Sequence, residues 1–186
     1  MTIPFFPIAF SIGLALLAIS LFLLHRAGHS WLHLMLFACF WLYSMLIVSR
    51  ALFPIPIVEM DAASARQQLD EIFRRINWQP FSYGPFTRNW AVFREVVLNF
   101  LITIPAGLIL PTLFRNQKRV FFVGLLVSAF GIELLQLSFE ILVRVPYRVI
   151  DISDVILNSS GFVFGYLLYY LSRKAFHFFR RNSNET

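Results

Sequence analysis

Three stripes of acids and amides hold most of the chemistry this chain could perform. Asp151, Asp154 and Asn158 stand at i, i+3 and i+7, and Gly161 and Gly165 extend the series to i+10 and i+14. On a helix that spacing is one continuous face. Glu133, Gln136 and Glu140 repeat it at i, i+3 and i+7. A third stripe starts at Arg94-Glu95 and reaches Asn99, while Arg144 and Arg148 lie between the other two. Paired carboxylates can hold a divalent cation or work as acid and base, which makes Glu133, Asp151 and Asp154 the catalytic candidates. Arginines among amides point elsewhere, because a guanidinium makes bidentate, charge-assisted bonds to phosphate. On that reading Arg94, Asn99, Glu133, Gln136, Arg144, Arg148, Asp151, Asp154 and Asn158 form a site for an anionic head group, and the acids orient the arginines. The blandest reading makes the same stripes glue between helices, at about 0.6 kcal/mol per polar bridge.

Other chemistries find little support. The chain has no HExxH, no phosphate-binding GxxxxGK[ST] loop and no GxSxG. Ser153, Ser159 and Ser160 have no partner histidine in the apolar runs. His25, His29 and His33 are spaced by four, but Gly28 interrupts them, and the segment reads as a loop whose histidines snorkel at the interface rather than as a metal site. No metal, no cofactor and no nucleic-acid partner are expected. Whether catalysis occurs stays open, with binding the favoured class.

The elements that must carry these stripes are membrane helices. The chain is 58% hydrophobic, has 22 Phe and is only 14% charged, where a soluble domain is roughly a quarter charged. Five apolar runs approach the ~20 residues that span a bilayer: 3–24, 32–48, 96–113, 120–142 and 150–171. The first has no preceding basic residue and no cleavage-like site after it, so it reads as a retained helix. The expected fold is all-α: one polytopic domain over 1–186 with about five spans. Cys39 lies in an apolar run and reads as a lone, buried, inert thiol.

Arg26, the loop with Arg115, Lys118 and Arg119, and the tail with Arg173, Lys174, Arg180 and Arg181 share one side of such a topology. The positive-inside bias makes that side cytoplasmic and puts the N-terminus outside. The long segment 55–93 is then extracytoplasmic. Within it Leu69, Ile72, Phe73 and Ile76 repeat at i, i+3, i+4 and i+7, which predicts an amphipathic helix closed by Pro80, either lying on the membrane surface with Trp78 and Phe81 as anchors or packed only on neighbouring loops. The last six residues read as frayed.

A family pattern runs through these residues. Leu52-Phe53-Pro54, Asn77-Trp78-Gln79-Pro80-Phe81, Arg94 through Asn99 with Ile104-Pro105-Ala106-Gly107, Gly131-Ile132-Glu133-Leu134-Leu135-Gln136 and Arg148-Val149-Ile150-Asp151-Ile152-Ser153-Asp154 through Gly161 occur in that order. Over 52–171 this resembles the VanZ-like family of bacterial membrane proteins. Ser159-Ser160-Gly161 stands where that family often has Thr-Gly-Gly, and the segment after the second span is longer. The resemblance implies a bacterial cytoplasmic (inner) membrane location. It also implies a link to low-level resistance to teicoplanin, a lipoglycopeptide antibiotic whose targets lie outside the membrane.

The expected function is to bind or sequester an amphiphile at the outer face: a membrane lipid, a lipid-linked cell-wall precursor or a lipoglycopeptide. The alternatives are a lipid-modifying or hydrolytic enzyme using the acidic residues, and a structural partner in a membrane assembly. Oligomeric state is left open.

Overall fold

The computed structural model describes residues 2–3, 8–56, 58, 61–82 and 90–183. The beginning of the first expected span and residues 57, 59–60 and 83–89 of the long segment lie outside the described residues, as do 184–186. Among the described residues there are six helices: α1 (Ile8–Arg26), α2 (Trp31–Leu52), α3 (Ala62–Arg74), α4 (Trp90–Leu113), α5 (Gln117–Val143) and α6 (Ile152–Ser183). All but α3 are long and apolar enough to cross a membrane. The helix at the end of the chain runs on through Ser183, past the point where fraying was expected.

The chain divides into two compact units. The first comprises Met1–Ser82 with Phe130–Asp154. Here α1 and α2 form an antiparallel hairpin. Gly28 makes the turn at φ 81°, and Ser30 caps α2 by accepting from the His33 N–H. Midway along the hairpin, the Trp41 indole donates to the Gly13 carbonyl at 3.0 Å. Cys39, expected to be buried, is instead exposed on α2. At the far end a two-stranded antiparallel ribbon, β1 (Thr2–Ile3) and β2 (Ile55–Pro56), ties the start of the chain to the end of α2.

The helix α3 begins where Asp61 Oδ1 accepts from the Ser64 N–H at 2.8 Å; the Ser64 hydroxyl first, and then this backbone bond, hold the Asp61 carboxyl below its ordinary pKa. It buries Ala65 and Ile72, but Phe73 of the expected apolar stripe is 54% exposed. The apolar stripe is thus part buried and part open.

The second unit, Tyr83–Ala129 with Val155–Thr186, is built on close approach. A methyl placed on Gly161 would run into the Phe100 carbonyl, one on Gly165 into the Ile104 carbonyl, and one on Gly107 into the Phe162 carbonyl. The matched order of these pairs makes α4 and α6 parallel. Small residues let two helix backbones meet this closely, which is how membrane helices associate without a hydrophobic driving force. Thr103 Oγ1 adds a 2.6 Å bond to the Asn158 carbonyl across the same seam.

Helix α5 lies antiparallel to α6. Gly124 sits against the Phe162 ring, Phe121 contacts Phe162 and Tyr166, and Phe162 is fully buried. Gln117 turns back to cap α4, its Nε2 donating to the Pro111 and Phe114 carbonyls at 3.0 Å each. Both the antiparallel α5–α6 hairpin and the glycine seam follow from loop length and i, i+4 spacing in the sequence.

Candidate polar site

The site is assembled in the first unit, around Glu140. Helix α5 ends at Val143, and Arg144 takes a left-handed turn at φ 56°. Val145 N–H bonds back to the Glu140 carbonyl at 3.3 Å, the six-residue bond of a Schellman ending. The Glu140 side chain then folds the loop further. Its Oε1 accepts from the Tyr147 N–H at 2.9 Å and from the Arg148 N–H. Glu140 is 1% exposed, so these bonds satisfy donors that water does not reach.

With its backbone fixed in this way, Arg148 extends its guanidinium to the end of α2. Nη2 donates to the Arg50 carbonyl at 3.1 Å and the Phe53 carbonyl at 3.3 Å. Gln136 serves the same helix end, Nε2 to the Ala51 carbonyl at 3.2 Å. The last carbonyls of a helix lack partners of their own, and a cation is favoured there by the helix dipole. The Gln136 amide thus serves the end of α2.

A second strand of chain closes over the loop. Asn77 N–H donates to the Ile150 carbonyl at 2.8 Å, and Ile152 N–H donates to the Asn77 carbonyl at 3.0 Å, making a parallel bridge between Asn77 and Asp151. Asn77 Nδ2 donates to Asp151 Oδ2 at 2.8 Å. Phe81 N–H, on a left-handed residue at φ 56°, donates to Ser153 Oγ at 2.9 Å. Arg75 Nη1 reaches the Pro146 carbonyl at 2.8 Å. Asp151 also caps α6, its Oδ1 accepting from the Ser153 N–H at 2.7 Å. An Asp151–arginine pair was expected from the sequence. The carboxylate is instead held by an amide and a backbone N–H.

Two features of this cluster face outward chemically. Arg75 and Arg148 each use one terminal nitrogen on backbone carbonyls. A guanidinium has five N–H donors, so the others have no acceptor among the described residues. The Tyr147 hydroxyl is buried without a described hydrogen-bond partner, and the Arg148 guanidinium lies 6.0 Å over its ring. Burial, and then the charge of Glu140, push the Tyr147 hydroxyl above its ordinary pKa, against a smaller opposing effect of Arg148. Tyr147 therefore stays a neutral donor.

Of the other sequence-derived residues, Arg144 is exposed at the end of α5, and Glu133 is buried in α5. Asp154 is half-buried in the first turn of α6, where a carboxylate suits the dipole. Arg94, Asn99 and Asn158 belong to the second unit: Arg94 is exposed, Asn99 half-buried and Asn158 1% exposed. His25 ends α1, His29 lies in the turn, and His33 starts α2, so the three share no single helix face. Among the described residues no three His, Cys, Asp or Glu side chains are grouped to hold a metal.

Arg75, Asn77, Tyr147 and Ser153 join the site without having been assigned to it from the sequence. The signal available for Asn77 was its place in the Asn77-x-x-Pro80-Phe81 element, which the structure brings against the Asp151-x-Ser153 element.

The VanZ/LLP1 family model matches residues 40–173, most of the chain and all of the described polar cluster. The chain belongs to the VanZ/LLP1 family. Protein VanZ of Enterococcus faecium is 36% identical over 102 residues, covering 54% of this chain and 56% of that protein. The chain thus spans little more than half the length of the curated relative it matches. No solved structure matches this VanZ/LLP1 chain.

Proposed function

We propose that this protein binds the anionic head group of an amphiphile at the outer face of the bacterial cytoplasmic membrane, with its N-terminus outside, and so contributes to tolerance of glycopeptide antibiotics. The observation that carries the reading is the pair Arg75 and Arg148. Each is fixed by backbone carbonyls and left with spare N–H donors, and the buried Tyr147 hydroxyl lies alongside Arg148. Pre-fixed cations bind phosphate or carboxylate with less ordering cost than free ones. The exposed aromatics Phe73, Trp78 and Phe81 flank the same chain segment and supply an amphipathic rim of the kind that sits at a membrane interface. Membrane lipids, a lipid-linked wall precursor and a lipoglycopeptide share the chemistry required. The density of internal bonds in the cluster favours one second reading, a structural partner whose polar residues hold its own fold and nothing else.

The two part on one titration. Full-length protein in detergent is titrated calorimetrically with teicoplanin and with a short-chain phosphatidic acid. Arg75→Gln is expected to weaken binding about tenfold, the size of a lost charge-assisted hydrogen bond, with the melting temperature within ~2 °C of wild type. Absence of heat with both probes, or binding that Arg75→Gln leaves intact, overturns the proposal.

A further inference from the structure

We infer that a cleft between α1 and α2 holds one acyl chain of an anionic phospholipid, with the lipid phosphate on Arg26 and His25. The cleft is about 350 Å³ and lies beside the α1–α2 turn, at the other end of α2 from the arginine pair. A helix of 22 residues separates the two by roughly 33 Å. Its walls are Leu21, Phe22 and His25 from α1 and Leu34, Met35 and Trp31 from α2, with Ala38 beside them. Phe22, Met35 and Trp31 are 59%, 63% and 74% exposed. A furrow of this polarity between two membrane-spanning helices is filled by hydrocarbon, since an unfilled one forfeits the contacts of every wall atom.

The charge at the mouth selects which lipid. The Arg26 guanidinium lies 5.9 Å over the Phe22 ring, and the His25 ring meets Trp31 at 5.4 Å. Both cationic or titratable heads are thereby seated on the same side chains that wall the cleft. His29 stacks on His33 at 4.3 Å in the adjoining turn. The chain carries no acidic residue before Glu59, so nothing on this hairpin offsets Arg26. A phosphate with net negative charge complements that mouth; a zwitterionic head group does so less well.

Trp31 reports the occupant. Full-length protein with Trp41, Trp78 and Trp90 replaced by Phe is reconstituted into phosphatidylcholine vesicles. These carry a small fraction of brominated phosphatidylglycerol or brominated phosphatidylcholine. Brominated phosphatidylglycerol is expected to quench Trp31 at about fivefold lower mole fraction, the factor one basic residue near a membrane surface supplies. Arg26→Gln removes the preference, and Ala38→Leu, which narrows the cleft, reduces quenching by both lipids. Equal quenching by the two lipids in the unsubstituted background overturns the inference. So does quenching insensitive to Ala38→Leu, or no quenching at all, as when a second copy of the chain covers the cleft. Losing Trp41 removes its bond to Gly13, so native mass spectrometry of the unaltered chain gives an independent reading. Phosphatidylglycerol stays bound in the wild type and is lost in Arg26→Gln; equal retention by both contradicts the assignment.

Discussion

Gly161→Leu is expected to abolish folding, and Gly161→Ala to lower the melting temperature in detergent by about ten degrees or more. The added Cβ meets the Phe100 carbonyl and Thr103 Oγ1, and backbone cannot step aside as a side-chain tip can. Overpacking a formed core costs about 1–3 kcal/mol and more where backbone must move. Here separation of the helices would also stretch the Thr103–Asn158 bond. Gly165 faces the Ile104 carbonyl in the same seam, so Gly165→Ala is expected to behave alike. Ser160, one residue away from Gly161, is exposed, and its hydroxyl bonds only within its own helix. Ser160→Leu therefore stays within ~0.5 kcal/mol of wild type. Thermal melts of the four variants decide the matter: a Gly161→Ala protein as stable as Ser160→Leu would show that α4 and α6 do not meet at these glycines.

Glu140→Ala should be the most damaging single change in the first unit. It strands the Tyr147 and Arg148 N–H groups where no water replaces the lost acceptor. Each buried unsatisfied donor costs about 1–3 kcal/mol, giving roughly 2–6 kcal/mol for the two. The loop then loses its hold on Arg148, and with it the cap on α2. Glu140→Gln retains an oxygen acceptor and should recover more than half of the loss. Measured unfolding in detergent, with exchange protection of the Tyr147 and Arg148 amides, tests both. If Glu140→Ala and Glu140→Gln melt alike, the charge of Glu140 rather than its acceptor geometry holds the loop.

Much of this was legible in residue spacing. The five spans follow from hydropathy because the bilayer admits few other structures. Gly161 and Gly165 share the face of Asn158, and all three are buried, as one helical stripe requires. Spacing shows which residues share a face; it does not show which element that face meets. Gln136 shares a stripe with Glu133 and Glu140, yet its partner is the Ala51 carbonyl, 85 positions earlier in sequence. Asp151 took an amide from Asn77, 74 positions away, where an arginine was expected. Both choices are made by open helix ends and loop backbone that need partners, and these needs emerge only once the chain is folded. In α3 the apolar stripe divides: Ile72 is buried with Ala65, while Phe73 is left exposed.

The central claim is that the Arg75–Arg148 cluster works on the outer side of the membrane. Site-specific labelling of intact cells with a membrane-impermeant maleimide tests it, in a Cys39→Ala background, with single cysteines at Gln79 beside the cluster and at Lys118 in the basic loop, both exposed positions. Labelling of Gln79→Cys with Lys118→Cys protected until the membrane is opened is the predicted result. The reverse pattern would put the arginine pair in the cytoplasm and contradict the claim.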